Sequence, residues 1–146
     1  MKIINLLKRS PAKTDDEINA FHTFEHGLPI GTITVGVGPT NIKTMEIWVY
    51  QDEETKPHFH VTSEQNGFYS AIRLDIPEYF VHGKYRGTLS FDEVRALNDF
   101  LSERYTSKYI KGTNWDFLAD SWDIGSKKRY RCKAKTMPDY MKLDSK

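Results

Sequence analysis

The stretch Pro57-His58-Phe59-His60-Val61-Thr62 alternates polar rings with apolar side chains. In an extended chain successive side chains leave opposite faces, so Phe59 and Val61 share one face while His58, His60 and Thr62 share the other. The neighbouring segments keep the same period. Met45 to Tyr50 sets Ile47 and Val49 on the first face and Glu46, Trp48 and Tyr50 on the second. Phe68 to Ile76 sets Phe68, Ile72, Leu74 and Ile76 against Tyr69, Arg73 and Asp75. Polar, turn-like runs separate these strands (Gln51 to Lys56, Glu64 to Gly67), and Pro77 removes a ladder donor at the end. A fourth strand, weakened by glycines, is predicted over Gly31 to Gly38. The pattern predicts an antiparallel meander of three to four strands with one apolar face that needs a cover.

Helical periodicity supplies that cover. Ser90-Phe-Asp-Glu93 is a capping box, and Val94, Leu97 and Leu101 follow at i, i+3 and i+7. A second helix is predicted from Asn114 to about Asp123, with Trp115, Leu118 and Trp122 at helical spacing and Gly125 as a stop. Near the N-terminus, Thr14-Asp-Asp-Glu17 is another capping box and predicts a helix over Asp15 to His26. The fold class expected is α+β: a meander packed on one face by two C-terminal helices, with an extra N-terminal helix and strand.

The 146 residues suit one domain over residues 1–125, followed by a basic tail over 126–146. No apolar run approaches the ~18 residues of a membrane span, and the first residues lack a signal-peptide pattern, so a cytoplasmic location is expected. The single cysteine, Cys132, excludes an internal disulfide framework and a Cys-cluster zinc site. The net charge of +1 conceals a gradient. Residues 15–124 carry nine cations and 18 anions, whereas residues 125–146 carry eight cations and two anions. Lys127, Lys128, Arg129 and Arg131, interleaved with Tyr130, are candidates for nucleic-acid contact, with a solvated, frayed terminus as the plainer reading.

Residues 45–124 resemble the small bacterial domain of unknown function called DUF4160. The resemblance rests on the Met45 to Tyr50 strand, the string Pro57-His58-Phe59-His60-Val61, the helix from Ser90 to Arg104, and the closing Leu118-Ala-Asp-Ser-Trp122. Residues 1–44 form an N-terminal extension to it. The family has no established reaction. Its genes often sit beside small partner genes in toxin–antitoxin-like arrangements, so the resemblance implies a prokaryotic or phage protein with a small protein partner.

Four histidines fall into two pairs at chelating separations. His58 and His60 leave the same face of one strand, about 7 Å apart along the backbone. His22 and His26 stack at i, i+4 on the predicted helix; His22-Thr-Phe-Glu25-His26 matches the H-x-x-E-H zinc signature, but no companion motif for a third ligand follows, so only the ligand geometry is retained and not the enzyme family. Were that helix to cross the sheet's polar face, His22, His26, His58 and His60 would offer Zn²⁺ or another divalent transition metal a ligand set, with Glu25 or Asp75 beside it. His58 and His60 are also the candidate catalytic residues for a metal- or histidine-dependent hydrolase. The plainer reading leaves the strand pair half-exposed, its rings bonded to carbonyls or to Asp75.

Trp48, Tyr50, Tyr69 and Arg73 on the same face are candidates for partner binding or for stacking on unpaired bases; a second core layer is the alternative. Ser70, Ser90 and Cys132 lack a nucleophile's surroundings. The leading functional expectation is a non-catalytic protein-interaction module, open to self-association. A small nuclease-like hydrolase is the alternative, and a nucleic-acid binder acting through the basic tail is third.

Overall fold

The computed structural model describes residues 27–35, 43–50, 56–63, 67–105, 112–125, 132 and 136–145. Within them, β1 (Gly27–Val35), β2 (Lys43–Tyr50), β3 (His58–Ser63) and β4 (Gly67–Arg73) form one antiparallel sheet in chain order. Two helices, α1 (Phe91–Ser102) and α2 (Asn114–Gly125), and a 3-10 helix over Tyr140–Ser145 complete the described elements. This is the α+β arrangement expected. The predicted helix over Asp15 to His26 lies outside the described residues.

The register fixes the two faces. Ile47 pairs with Val61 and Phe59 with Ile72, while Trp48 pairs with His60 and His58 with Arg73. Met45, Ile47, Val49, Phe59, Val61 and Ile72 are all buried in one core with Val94, Leu97 and Leu101 of α1 and Trp115, Leu118 and Trp122 of α2. α1 lies against β1 and the 3-10 helix, and α2 against β1 and β2. Gly31 sits directly beneath the Phe100 ring of α1, and a Cβ there would collide with it.

Both helices start at reciprocal caps. The Glu93 amide donates to Ser90 Oγ (3.3 Å) and the Ser90 amide donates to Glu93 Oε1 (2.8 Å). At α2, Thr113 plays the same part with Asp116: the Thr113 amide donates to Asp116 Oδ2 (2.9 Å) and the Asp116 amide to Thr113 Oγ1 (3.3 Å).

Strand limits depart from the sequence reading, most of all at β1 and β4. β1 begins at Gly27 rather than Gly31, because Gly27 and Leu28 find partners in Tyr50 and Val49. Pro29 is tolerated because β1 is an edge strand. β4 ends at Arg73, before Pro77, and the chain then bends over Leu74–Pro77. Ile76 is consequently not a core residue; it is 37% exposed. An irregularity also opposes Phe68 to Thr62 while Ser70 opposes Val61, so strict alternation does not run the length of β4.

Two further segments do more than the sequence suggested. Residues 78–88 run back along β4. The Phe80 amide donates to the Ala71 carbonyl (2.8 Å), and the Gly87 amide donates to the Tyr69 carbonyl (2.7 Å). Between these anchors His82-Gly83-Lys84-Tyr85 forms a two-residue hairpin, with Gly83 at φ 60°. Glycine at the first central position suits the turns that match strand twist. The second segment is the C-terminus, read as a loose tail. Among its described residues, Cys132, Tyr140 and Leu143 are instead packed into the core. The Tyr140 ring stands edge-on to Phe59, with centroids 5.7 Å apart, and the Cys132 amide donates to Asp123 Oδ1 (2.6 Å). Tyr140 and Leu143 turn inward while Asp139 and Lys142 between and beside them stay exposed, so the apolar burial costs those charges none of their solvent.

Candidate functional site

The site is built on β3 and covered by the hairpin. Strand alternation turns His58 and His60 away from Phe59, and their ring centroids lie 4.8 Å apart. They do not face solvent as half-exposed strand residues; both are 0% exposed. The hairpin brings His82 against them, at 5.0 Å from His58 and 5.5 Å from His60 by ring centroids. One ligand atom from each of His58, His60 and His82 falls within 4.8 Å of the others.

Aromatic rings wall the cluster. Phe80 lies 4.7 Å and Trp122 5.2 Å from His58, while Tyr85 lies 4.0 Å and Tyr50 4.9 Å from His60. Loop, strand and helix therefore all contribute to the enclosure. The backbone sets the tautomer of one ring: His58 Nδ1 lies 2.8 Å from the Lys56 carbonyl oxygen, which can only accept. Nδ1 carries the hydrogen, and Nε2 is the electron-pair nitrogen of the neutral ring.

The remaining candidates separate. His22, Glu25 and His26 lie outside the described residues, as do Lys127, Lys128, Arg129 and Arg131. Asp75 neither bonds the strand histidines nor joins their cluster. It takes a two-pronged pair from Arg73, whose Nε and Nη2 donate to Oδ1 (2.7 Å) and Oδ2 (2.6 Å). Burial would raise its carboxyl pKa, but the Arg73 fork and the amides of Asp75 and Ile76 outweigh this and hold it below the ordinary value. Arg73 is therefore already engaged.

Tyr50 is only 5% exposed, so its ring is part of the enclosure and not a surface for stacking. Trp48 stacks beside it at 6.4 Å and is half-buried. The Tyr69 hydroxyl donates to the Thr88 carbonyl, and burial together with nearby Glu93 pushes its pKa up. Ser70 Oγ donates to the Gly87 carbonyl (2.9 Å). Tyr69 and Ser70 thus fasten the 78–88 segment to β4.

His82, Phe80 and Tyr85 were missed as site residues, and Trp122 was seen only as helix core. The local signal for the first three was the Gly83-Lys84 pair between Phe80-Val81-His82 and Tyr85-Arg86, a short hairpin pattern. Comparison with protein-family models, curated proteins and solved structures found no match to the chain.

Proposed function

We propose that the chain is a non-catalytic interaction module that acts by binding a small protein partner. Its setting would be prokaryotic or phage genetic conflict of the toxin–antitoxin kind, a reading that rests on the resemblance of residues 45–124 to DUF4160 alone. The observation that favours binding over hydrolysis is the burial of His58 and His60 behind Phe80, Tyr85 and Trp122. A general acid or base must come within hydrogen-bond reach of the group it serves, and a phosphodiester has no such access to rings that are 0% exposed.

The outer side of this enclosure offers contact surface. Val81 is 62% and Ile124 81% exposed, and each stands within two residues of a ring that touches His58. A test is co-expression with the product of the adjacent gene, followed by size-exclusion chromatography. A stable complex that is lost in Val81→Asp or Ile124→Asp, with unchanged circular dichroism, supports the reading. Hydrolysis of RNA or DNA by the purified chain, abolished by His60→Gln, would replace it with the hydrolase alternative.

A further inference from the structure

We propose that His58, His60 and His82 form a binding site for one divalent transition metal ion of the zinc and cobalt class, and that the ion fastens the 82–85 hairpin to the sheet. The inference is independent of any protein partner.

Three features carry it. The first is convergence from two non-local elements: β3 supplies two imidazoles and the hairpin a third, with ligand atoms no more than 4.8 Å apart. Tetrahedral coordination at Zn–N of about 2.0–2.1 Å requires nitrogens roughly 3.3 Å apart. Closing that difference takes nitrogen movements on the order of 1 Å, within the range of ring rotation and a small shift of the hairpin. The second is donor chemistry. The cluster consists of imidazoles, which suit zinc, cobalt, nickel and copper, whereas calcium and magnesium demand oxygen. The third is orientation. The bond from His58 Nδ1 to the Lys56 carbonyl is the outer-sphere contact that fixes a ligating histidine with Nε2 as its donor.

The enclosure decides what the ion does. Tyr50, Phe80, Tyr85 and Trp122 wall the imidazoles. Three imidazoles leave a fourth coordination position, and these walls restrict what can reach it, so the part proposed for the ion is to join two elements of the fold. Its ligands join β3 to the hairpin, so binding would tie down the turn that carries Gly83 and the exposed Lys84.

The experiment uses untagged full-length chain, stripped with a chelator and titrated with Co²⁺ and then Zn²⁺. The expected result is a visible Co²⁺ ligand-field spectrum saturating at one equivalent and bleached by Zn²⁺. A rise in melting temperature and slower tryptic cleavage at Lys84 should accompany it. His82→Ala removes a half-buried side chain from a turn and should fold. It should lose affinity at least about hundredfold, since removing even an outer-sphere partner costs 10–100-fold, and it should lose the tryptic protection. A wild-type chain with no Co²⁺ spectrum and no thermal shift under excess Zn²⁺ would overturn the proposal. So would a folded His82→Ala variant that binds Co²⁺ as tightly as the wild type.

Discussion

The Tyr140 hydroxyl donates to the backbone carbonyl of Arg73 across 3.0 Å, joining residues 67 apart in the chain. The bond closes the C-terminal end of the core onto the last residue of β4. Tyr140→Phe should cost about 1 kcal/mol, because it leaves the carbonyl without this donor. Tyr140→Ala should cost about 3–5 kcal/mol, because it also leaves a cavity against Phe59 and Trp115. Urea denaturation should resolve both and rank them in that order. A terminus that was only a solvated tail would show neither effect.

The same residue gives the fold a dependence on alkaline pH. Burial, with smaller contributions from Cys132 and Asp75, raises the Tyr140 pKa far above its ordinary 10.0. A folded-state value above the unfolded one means that this contribution is complete below pH 10 and is lost as the pH climbs beyond it. Melting temperature should therefore fall above about pH 10 in the wild type. The Tyr140→Phe variant should fall less steeply over the same range.

Arg73 and Asp75 carry the opposite sign. The net lowering of the Asp75 pKa means stability that is present above the ordinary carboxylate value of 3.8 and lost as the pH falls through the lowered one. The pair is partly exposed, so screening limits it to about 1 kcal/mol or less. Asp75→Asn should destabilise slightly at neutral pH, and the difference from wild type should vanish in acid. Thermal melts at pH 7 and below pH 3 test this.

How far the sequence reveals this molecule depends on how local each signal is. Phe59 and the histidines beside it sort by a period of two residues, and the core position of Phe59 follows from that alone. Ser90 and Glu93 sit three residues apart, so their capping box reads directly from the string. His82 does not, because its place depends on Phe80 and Gly87 pairing with β4, and strand pairing is not written in any short window. Tyr140 and Leu143 make only one helical step, too short to register as a stripe, and the basic run over residues 126–135 dominates the composition of the tail. Of the three clustered histidines, the sequence thus pointed to the two on one strand and omitted the one that arrives by tertiary packing.

Gly31 tests the helix cover. It lies under Phe100, and an added methyl group would meet that ring well inside contact distance. Gly31→Ala should cost about 1–3 kcal/mol through overpacking. Phe100→Ala placed on top of Gly31→Ala should restore part of the loss, since it frees the space. A double-mutant cycle in urea reads the coupling; additive effects would show that the ring and the strand do not oppose each other.

Gly83 links the hairpin to the imidazole cluster. Its φ of 60° is one that side chains with a Cβ adopt at a cost of about 1–2 kcal/mol. Gly83→Ala should therefore loosen the turn that carries His82 while leaving β3, His58 and His60 in place. If the hairpin must close for a metal to be held, that cost appears as weaker binding: 1.4 kcal/mol is a tenfold change, so Co²⁺ affinity should drop roughly five- to thirtyfold. The β3 pair alone would be insensitive to the turn, so equal Co²⁺ affinity in Gly83→Ala and wild type would mean that His82 is not a ligand. Comparing the two titrations with that of His82→Ala separates a displaced ligand from a missing one: Gly83→Ala should still saturate at one equivalent, at higher Co²⁺ concentration.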